Sequence, residues 1–389
     1  MKRAGQLMPL IADVENLRLA FWKASKGKRA KADCRAFRER LGENLDGLRA
    51  DLLADRVPVG DYHYFTIHDP KERTICAATF RERVLHHALM NVCEPVLERA
   101  AVFDSYACRK GKGRLAALAR ARQYVDRHEW FLKMDIRKYF DSIDQAVMKR
   151  LLARRFKDPA VLSLFGRIIA SYQTVPGKGL PIGNLTSQHF ANYYLNPLDR
   201  FIKEDLGRRA CVRYMDDFVV WGRGRRELRM LRDQVREFAS TELKLDLKAD
   251  PVINRTGMGM DFLGFRLSPG TMRLARRSKV RFARKFQKYE REYLAGIWPE
   301  RTLQQRMQAL LAFVLPADSR GYRQCVMKRF GMAALGLEPR ETRGRLEQQR
   351  EQLPDGEPQQ QQPGEHEQQP RVPVRPAPSS TDAPNGASA

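Results

Sequence analysis

Asp216 and Asp217 follow Tyr214 and Met215 between two short apolar runs, and a third carboxylate, Asp135, lies 81 residues upstream inside another. Carboxylates carried on rigid backbone suit nucleotidyl transfer, in which an attacking oxygen and a pyrophosphate leaving group both develop charge around one phosphorus. Two divalent ions about 3.5 to 4 Å apart can clamp both oxygens. Magnesium takes hard oxygen ligands and keeps several waters, so a few carboxylates suffice. If this set holds metal, two Mg2+ ions are the expected complement. An isolated Asp-Asp pair is better explained as a polar turn, and Asp135 as the partner of an arginine. A buried charge is costly unless it is paired or holds a metal, so the surrounding sequence decides between the two readings.

The elements that must position these residues are legible. Ala210 to Trp221 reads as strand, tight turn, strand, with the acidic pair at the turn. Trp130 to Phe140 forms a second strand-like run around Asp135. Asp144 is a predicted N-cap for a helix carrying Val147, Leu151 and Leu152, which makes Asp144 and its neighbour Asp141 structural rather than catalytic. Arg226 to Leu245 is an amphipathic helix with Leu228, Leu231, Val235 and Phe238 on one face. Residues 10 to 60 are rich in helix formers and basic residues, 62 to 75 are strand-like, and 80 to 96 are helical. His86 and His87 are adjacent on that helix, point apart, and are assigned to the core or to hydrogen bonds. Phe282, Phe286, Tyr289 and Tyr293 form one stripe beside Arg281, Arg284, Lys285 and Lys288, and a second helix carries Leu303, Met307, Leu310, Leu311 and Val314. This pair suits a grip on nucleic-acid phosphates.

The Tyr-Met-Asp-Asp box, Asp135 and the segment Gly179 to Gln188 together resemble the palm motifs of reverse transcriptases. The loop Gly179, Leu180, Pro181, Ile182, Gly183, Asn184, Leu185, Thr186, Ser187, Gln188 resembles the variant found in diversity-generating retroelements. Most relatives have Gln at the place of Ile182 and Pro at that of Gln188. The resemblance runs from Glu15, Asn16 and Leu17, through Ser105 to Lys110, to Asp261 to Phe265. It covers roughly residues 10 to 335 and departs from the family at Gly113, Arg114 and Tyr322 to Phe330.

The resemblance implies an α+β fold with the right-hand polymerase architecture: fingers, a palm built on an antiparallel sheet with packed helices, and a helical thumb. The expected boundaries are an N-terminal helical extension at 1–60, fingers at 61–130 and 145–190, palm at 131–144 and 191–267, thumb at 268–337 and a disordered tail at 338–389. Asp135 and Asp216 would bridge the two ions, with Asp217 less direct and Ile136 also beside the metal. Arg73 and Arg109 match the triphosphate contacts, and Lys71 is a weaker candidate. Arginine suits that role through bidentate geometry. Ile136, Phe140, Ile182 and Gly183 complete the dNTP site, with Phe140 as a steric gate against the 2′-hydroxyl. Tyr214, Met215, Gln188 and Gly264 fall to primer and template, and Gly264 would allow close approach of the primer strand. Lys248 is a candidate general acid toward pyrophosphate. Gly111 and Gly113 make no P-loop.

Because Ile182 can pack but cannot hydrogen-bond, the expected activity is error-prone copying of RNA into cDNA. By the resemblance, errors fall at template adenines and serve mutagenic retrohoming into a variable gene. A template RNA from the same locus and a small basic pentameric accessory protein are the implied partners. The alternatives are a retron or group II intron enzyme, or a noncatalytic RNA-binding defence protein. An intron maturase would continue into a further helical domain, and a retron enzyme would carry the Gln form of the loop.

Bulk composition agrees. The chain has 389 residues and a net charge of +25. Outside 338–389 there are 65 basic and 37 acidic residues, a surplus of 28 that attracts polyanions. Six scattered cysteines without a Cys-x-x-Cys pair predict reduced thiols and no zinc site. With no apolar run near 18 residues and no h-region, the expectation is a cytoplasmic protein, bacterial or phage-encoded, that spans no membrane. The tail, rich in Gln, Pro and Glu, cannot bury enough apolar area to offset its ordering entropy.

Overall fold

A computed structural model describes residues 2–68 and 72–331. Lys71 and the expected tail lie outside the described residues. The chain begins with α1 (Met8–Ile11), α2 (Val14–Ser25), α3 (Ala32–Glu39) and α4 (Leu41–Leu53), followed by the antiparallel hairpin β1 (Tyr62–Ile67) and β2 (Arg73–Ala78) and the long α5 (Phe80–Ala100). Asn16 ties α2 to its neighbours. Its amide donates to the carbonyls of Ile11 and Ala88 at 2.9 and 3.1 Å and accepts from Asn91 at 2.8 Å.

Next come α6 (Arg114–Arg127), β3 (Trp130–Asp135), α7 (Tyr139–Ser142), α8 (Gln145–Ala153), α9 (Pro159–Ala170), α10 (Leu185–Tyr194) and α11 (Asn196–Arg200). The strand-like run at 130–140 therefore divides. Lys138 takes a left-handed φ of 44° and starts the short helix that carries Phe140. Asp144 caps α8 by accepting from Val147 N at 2.9 Å, and it also pairs with Lys244, as its structural assignment requires.

The centre is a four-stranded antiparallel sheet, in the order β4 (Cys211–Tyr214), β5 (Asp217–Gly222), β3, β6 (Val252–Arg255), with α12 (Arg225–Leu243) between β5 and β6 in sequence. Strand alternation gives the sheet two unlike faces. Leu132, Met134, Phe218 and Val220 enter the larger core with α8, α9, α10 and α12. Phe131, Val212, Val219 and Trp221 face a second core with α6. After α12 a single bridge joins Leu247 to Ile136, beside Lys248.

That second core also takes a three-stranded meander, β7 (Met260–Phe262), β8 (Phe265–Ser268) and β9 (Thr271–Leu274), then α13 (Arg276–Leu294), α14 (Glu300–Val314) and α15 (Arg320–Phe330). On α13, Phe282 and Phe286 are buried while Arg281 and Arg284 stay on the surface. All six cysteines are free thiols. No helix among the described residues is long and apolar enough to cross a membrane.

Candidate active site

β3 and β5 place Asp135 directly opposite Asp217, and the β4–β5 hairpin pairs Tyr214 with Asp217, leaving Met215 and Asp216 as its two-residue turn. Residues opposite each other share a sheet face, so both carboxylates emerge at the open end of the face carrying Phe131 and Val219. Met215 is held at φ 55°, a conformation that costs a side-chain-bearing residue energy and must be enforced by its surroundings.

Arg213 does the enforcing, and no sequence signal had marked it. Its buried guanidinium grips both oxygens of Asp199 at 2.7 and 2.6 Å. It also donates to Asn192 Oδ1 at 2.9 Å, Ser105 Oγ at 2.9 Å and the Met215 carbonyl at 3.0 Å. Helices α10 and α11 thus reach through the sheet edge to fix the acidic turn. An arginine one residue before a Tyr-Met-Asp-Asp box, with an Asp near the end of a preceding helix, is a weak pattern that only three-dimensional contact makes specific.

The electrostatics follow from burial. Asp216 is pushed above the usual carboxylate range by desolvation and by Asp135, while Lys248 and Arg73 pull it back. Burial raises Asp217 to about 6 against the opposing pull of Lys133. Lys248 Nζ lies 2.5 Å from Asp135 Oδ2, and Lys133 Nζ lies 3.2 Å from Asp217 Oδ2. In each carboxylate the other oxygen, Oδ1, is buried and has no hydrogen-bond partner. Unpaired buried oxygens of this kind suit a hard cation. Among the described residues, however, no three His, Cys, Asp or Glu side chains converge as a ready-made metal cluster. Asp217 is turned onto Lys133. The residues present fit a hard cation at the free Oδ1 atoms of Asp135 and Asp217, beside the Asp216 turn.

Of the expected site residues, one needs correction and the others are located by their contacts. Arg109 is not available to a triphosphate: its side chain is 8% exposed, pairs with both oxygens of Glu98, and donates to the carbonyls of Val102 and Ser105. Arg73 is exposed at the start of β2 and is close enough for its charge to act on Asp216. Ile136 is 1% exposed in the larger core, so its side chain can touch neither nucleotide nor metal. Gly183 has φ +117°, and a Cβ there would lie 2.8 Å from Ile75 Cγ2; the Ile182 carbonyl accepts from Cys76 N at 2.8 Å. The glycine thus serves packing of its loop on β2. Gly264, at φ +89°, is likewise required by the protein itself, since a Cβ would meet Phe313 Cζ at 2.8 Å and Ser278 Oγ at 3.0 Å.

Phe140 is half-buried against the larger core, and its carbonyl accepts from Leu180 N, which joins α7 to the glycine-containing loop. Gln188 is exposed at the start of α10, with its Oε1 3.8 Å from Cys108 Sγ. Tyr214 packs at the margin of the second core, and Lys248 is 43% exposed. A cleft of about 1310 Å3 opens between α13 and α14, lined by His68, Arg277, Arg281, Arg284, Lys285 and Phe313.

An acidic hairpin turn opposed by a strand carboxylate on an antiparallel sheet, in a molecule that also carries a basic helical cleft, suits nucleotidyl transfer. Residues 68–267, half of the chain, match the reverse transcriptase (RNA-dependent DNA polymerase) family, and the chain belongs to that family. Its fold is the family's right-hand polymerase architecture. Protein YkfC of Escherichia coli is 25% identical over 279 residues, covering 59% of this chain and 72% of that protein. Group II intron-encoded protein LtrA of Lactococcus lactis is 24% identical over 153 residues, covering 37% of this chain and a quarter (25%) of that protein. The structure of telomerase from Candida albicans in complex with a telomeric RNA fragment aligns at a TM-score of 0.43 and 12% identity, over 76% of this chain and 60% of that one.

Proposed function

We propose that this chain copies a template RNA into cDNA, with Asp135 and Asp216 as the principal holders of two divalent ions and Asp217 in support. The observation that carries the reading is the pair of lysine-bound carboxylates on β3 and β5, each with one buried unpaired oxygen, beside the Met215–Asp216 turn. Bound ions would stabilise the charge developing on the attacking and leaving oxygens. Arg73 binds the triphosphate, Phe140 bounds the sugar of the incoming nucleotide, and Lys248 is placed to hold a proton for the leaving pyrophosphate. Tyr214, Met215 and Gln188 face primer and template. Residues 61–130 and 145–190 act as fingers, 131–144 and 191–267 as palm, and the helices after 268 as thumb, with the N-terminal helices before them.

Within the family we assign the chain to the diversity-generating type, working with a structured template RNA and a small basic pentameric accessory protein. Ile182 and Gln188 in the loop before α10 support that assignment. An aliphatic side chain at 182 packs without hydrogen-bonding the nascent pair, and the base-pair check is relaxed.

The test is cDNA synthesis by the purified chain with Mg2+, deoxynucleotides, the accessory partner and the cognate RNA, followed by sequencing. The expected product carries errors concentrated at template adenines, and Ile182→Gln reduces them. Asp216→Ala lowers synthesis by roughly a hundred- to a thousand-fold, the scale of losing a charge-stabilising group from an active site, while RNA binding stays within a few-fold. Wild-type rates from Asp216→Ala would end the reading. Faithful cDNA would replace the diversity-generating assignment with an ordinary reverse transcriptase of the intron or retron kind.

A further inference from the structure

Lys133 lies on β3 two residues before Asp135, on the same face of the sheet, and is diagonal to Asp217 on β5. An ammonium has three N–H donors, and this one has two polar partners and an aromatic ring nearby. Nζ is 3.2 Å from Asp217 Oδ2 and 2.8 Å from the carbonyl oxygen of Asp261 in β7, and it stands 5.8 Å from the centre of the Phe262 ring. The side chain is 25% exposed, so the contacts are partly shielded from water.

What β7 is attached to gives the contact its meaning. The β7–β8 turn, Leu263 and Gly264, has both residues at positive φ. At Gly264 the backbone presses so closely on Ser278 of α13 and Phe313 of α14 that no Cβ fits. Phe265 stacks on Phe313 with ring centres 5.5 Å apart, and Arg114 lies 4.2 Å above the Phe313 ring. The hairpin is therefore one body with α13 and α14, the helices that line the basic cleft. One ammonium joins that body to a carboxylate of the acidic site.

Resting on the polymerase reading above, we propose that Lys133 is a positioning residue that couples the polyanion-gripping helices α13 and α14 to Asp217, so that seating of a primed template and alignment of the acidic site are one event. A lysine that only neutralised a buried carboxylate would leave the hairpin and the cleft indifferent to its loss. The two roles separate on measurement. Lys133→Met keeps the packing stem and removes the charged latch.

Two experiments on the full chain test this. In hydrogen–deuterium exchange, Lys133→Met should speed exchange of the amides of residues 260–265 by roughly ten-fold relative to wild type, as local opening of a released hairpin requires, and Lys133→Arg should restore most of the protection. In primer extension on an RNA template, Lys133→Met should lower kcat and raise KM for the primed template, each by roughly ten-fold for loss of a charge-assisted contact, with KM for deoxynucleotide unchanged. Unaltered exchange at 260–265, or a fall in kcat with an unchanged KM for primed template, overturns the proposal. If wild type extends no primer, the polymerase reading fails on its own, and exchange alone decides the latch: protection unchanged by the substitution refutes it.

Discussion

The charge on Arg213 is buried with that of Asp199, their side chains 2% and 5% exposed, and the pair holds the carbonyl of a strained Met215. Truncating one member of such a pair strands the other charge, at a cost of about 3 to 5 kcal/mol. Arg213→Met should lose that much stability in urea denaturation. Arg213→Lys should recover only a minor part, because three donors on one nitrogen cannot span Asp199, Asn192, Ser105 and Met215 together. A lysine variant of wild-type stability would show that the fork geometry is not needed. At this scale the three aspartates were legible, because their chemistry is carried by residue type and by apolar flanks. Arg73 and Arg109 were not distinguishable in sequence. Arg109, in the loop after α5, is consumed by Glu98 of that helix, and Arg73 is left exposed.

Elements were read best where side-chain period and burial agreed. The β4–β5 hairpin matches its near-continuous apolar run because both its faces are buried, and α12 matches its stripe because one face packs on the larger core. The run at 130–140 read as a single strand because Tyr139 and Phe140 continue its apolar character; the break comes from backbone, a left-handed Lys138, which composition does not announce. The same kind of constraint governs the β7–β8 turn. Gly264→Ala must place a methyl at φ +89° and against Phe313 and Ser278. It should cost about 1 to 3 kcal/mol through strain and loosen α13 and α14 from the meander. Thermal denaturation and the KM for primed template are the measurements, and an alanine variant as stable as wild type would refute the close approach.

For the whole molecule the relevant quantity is its charge. A net +25, with Arg277, Arg281, Arg284 and Lys285 lining one cleft, predicts RNA binding dominated by phosphate contacts. Affinity for a primed RNA template should fall by roughly a thousand-fold or more between about 50 and 200 mM salt if six or more phosphates are engaged, with an equal slope for Asp216→Ala. A salt-independent affinity would remove the basic cleft from the account. The sequence by itself determined the family and brought out the acidic residues as candidates for its chemistry, because those depend on residue type and local spacing. It also determined that the chain is a basic, core-forming protein. Only the tertiary structure decided which arginine is spent on the fold, that Arg213 holds the Met215–Asp216 turn, that Asp217 is engaged by Lys133, and that Gly183 and Gly264 make close protein contacts. Each of these depends on groups brought together from distant parts of the chain, and burial then sets which charge is spent on the fold and which is left for a substrate.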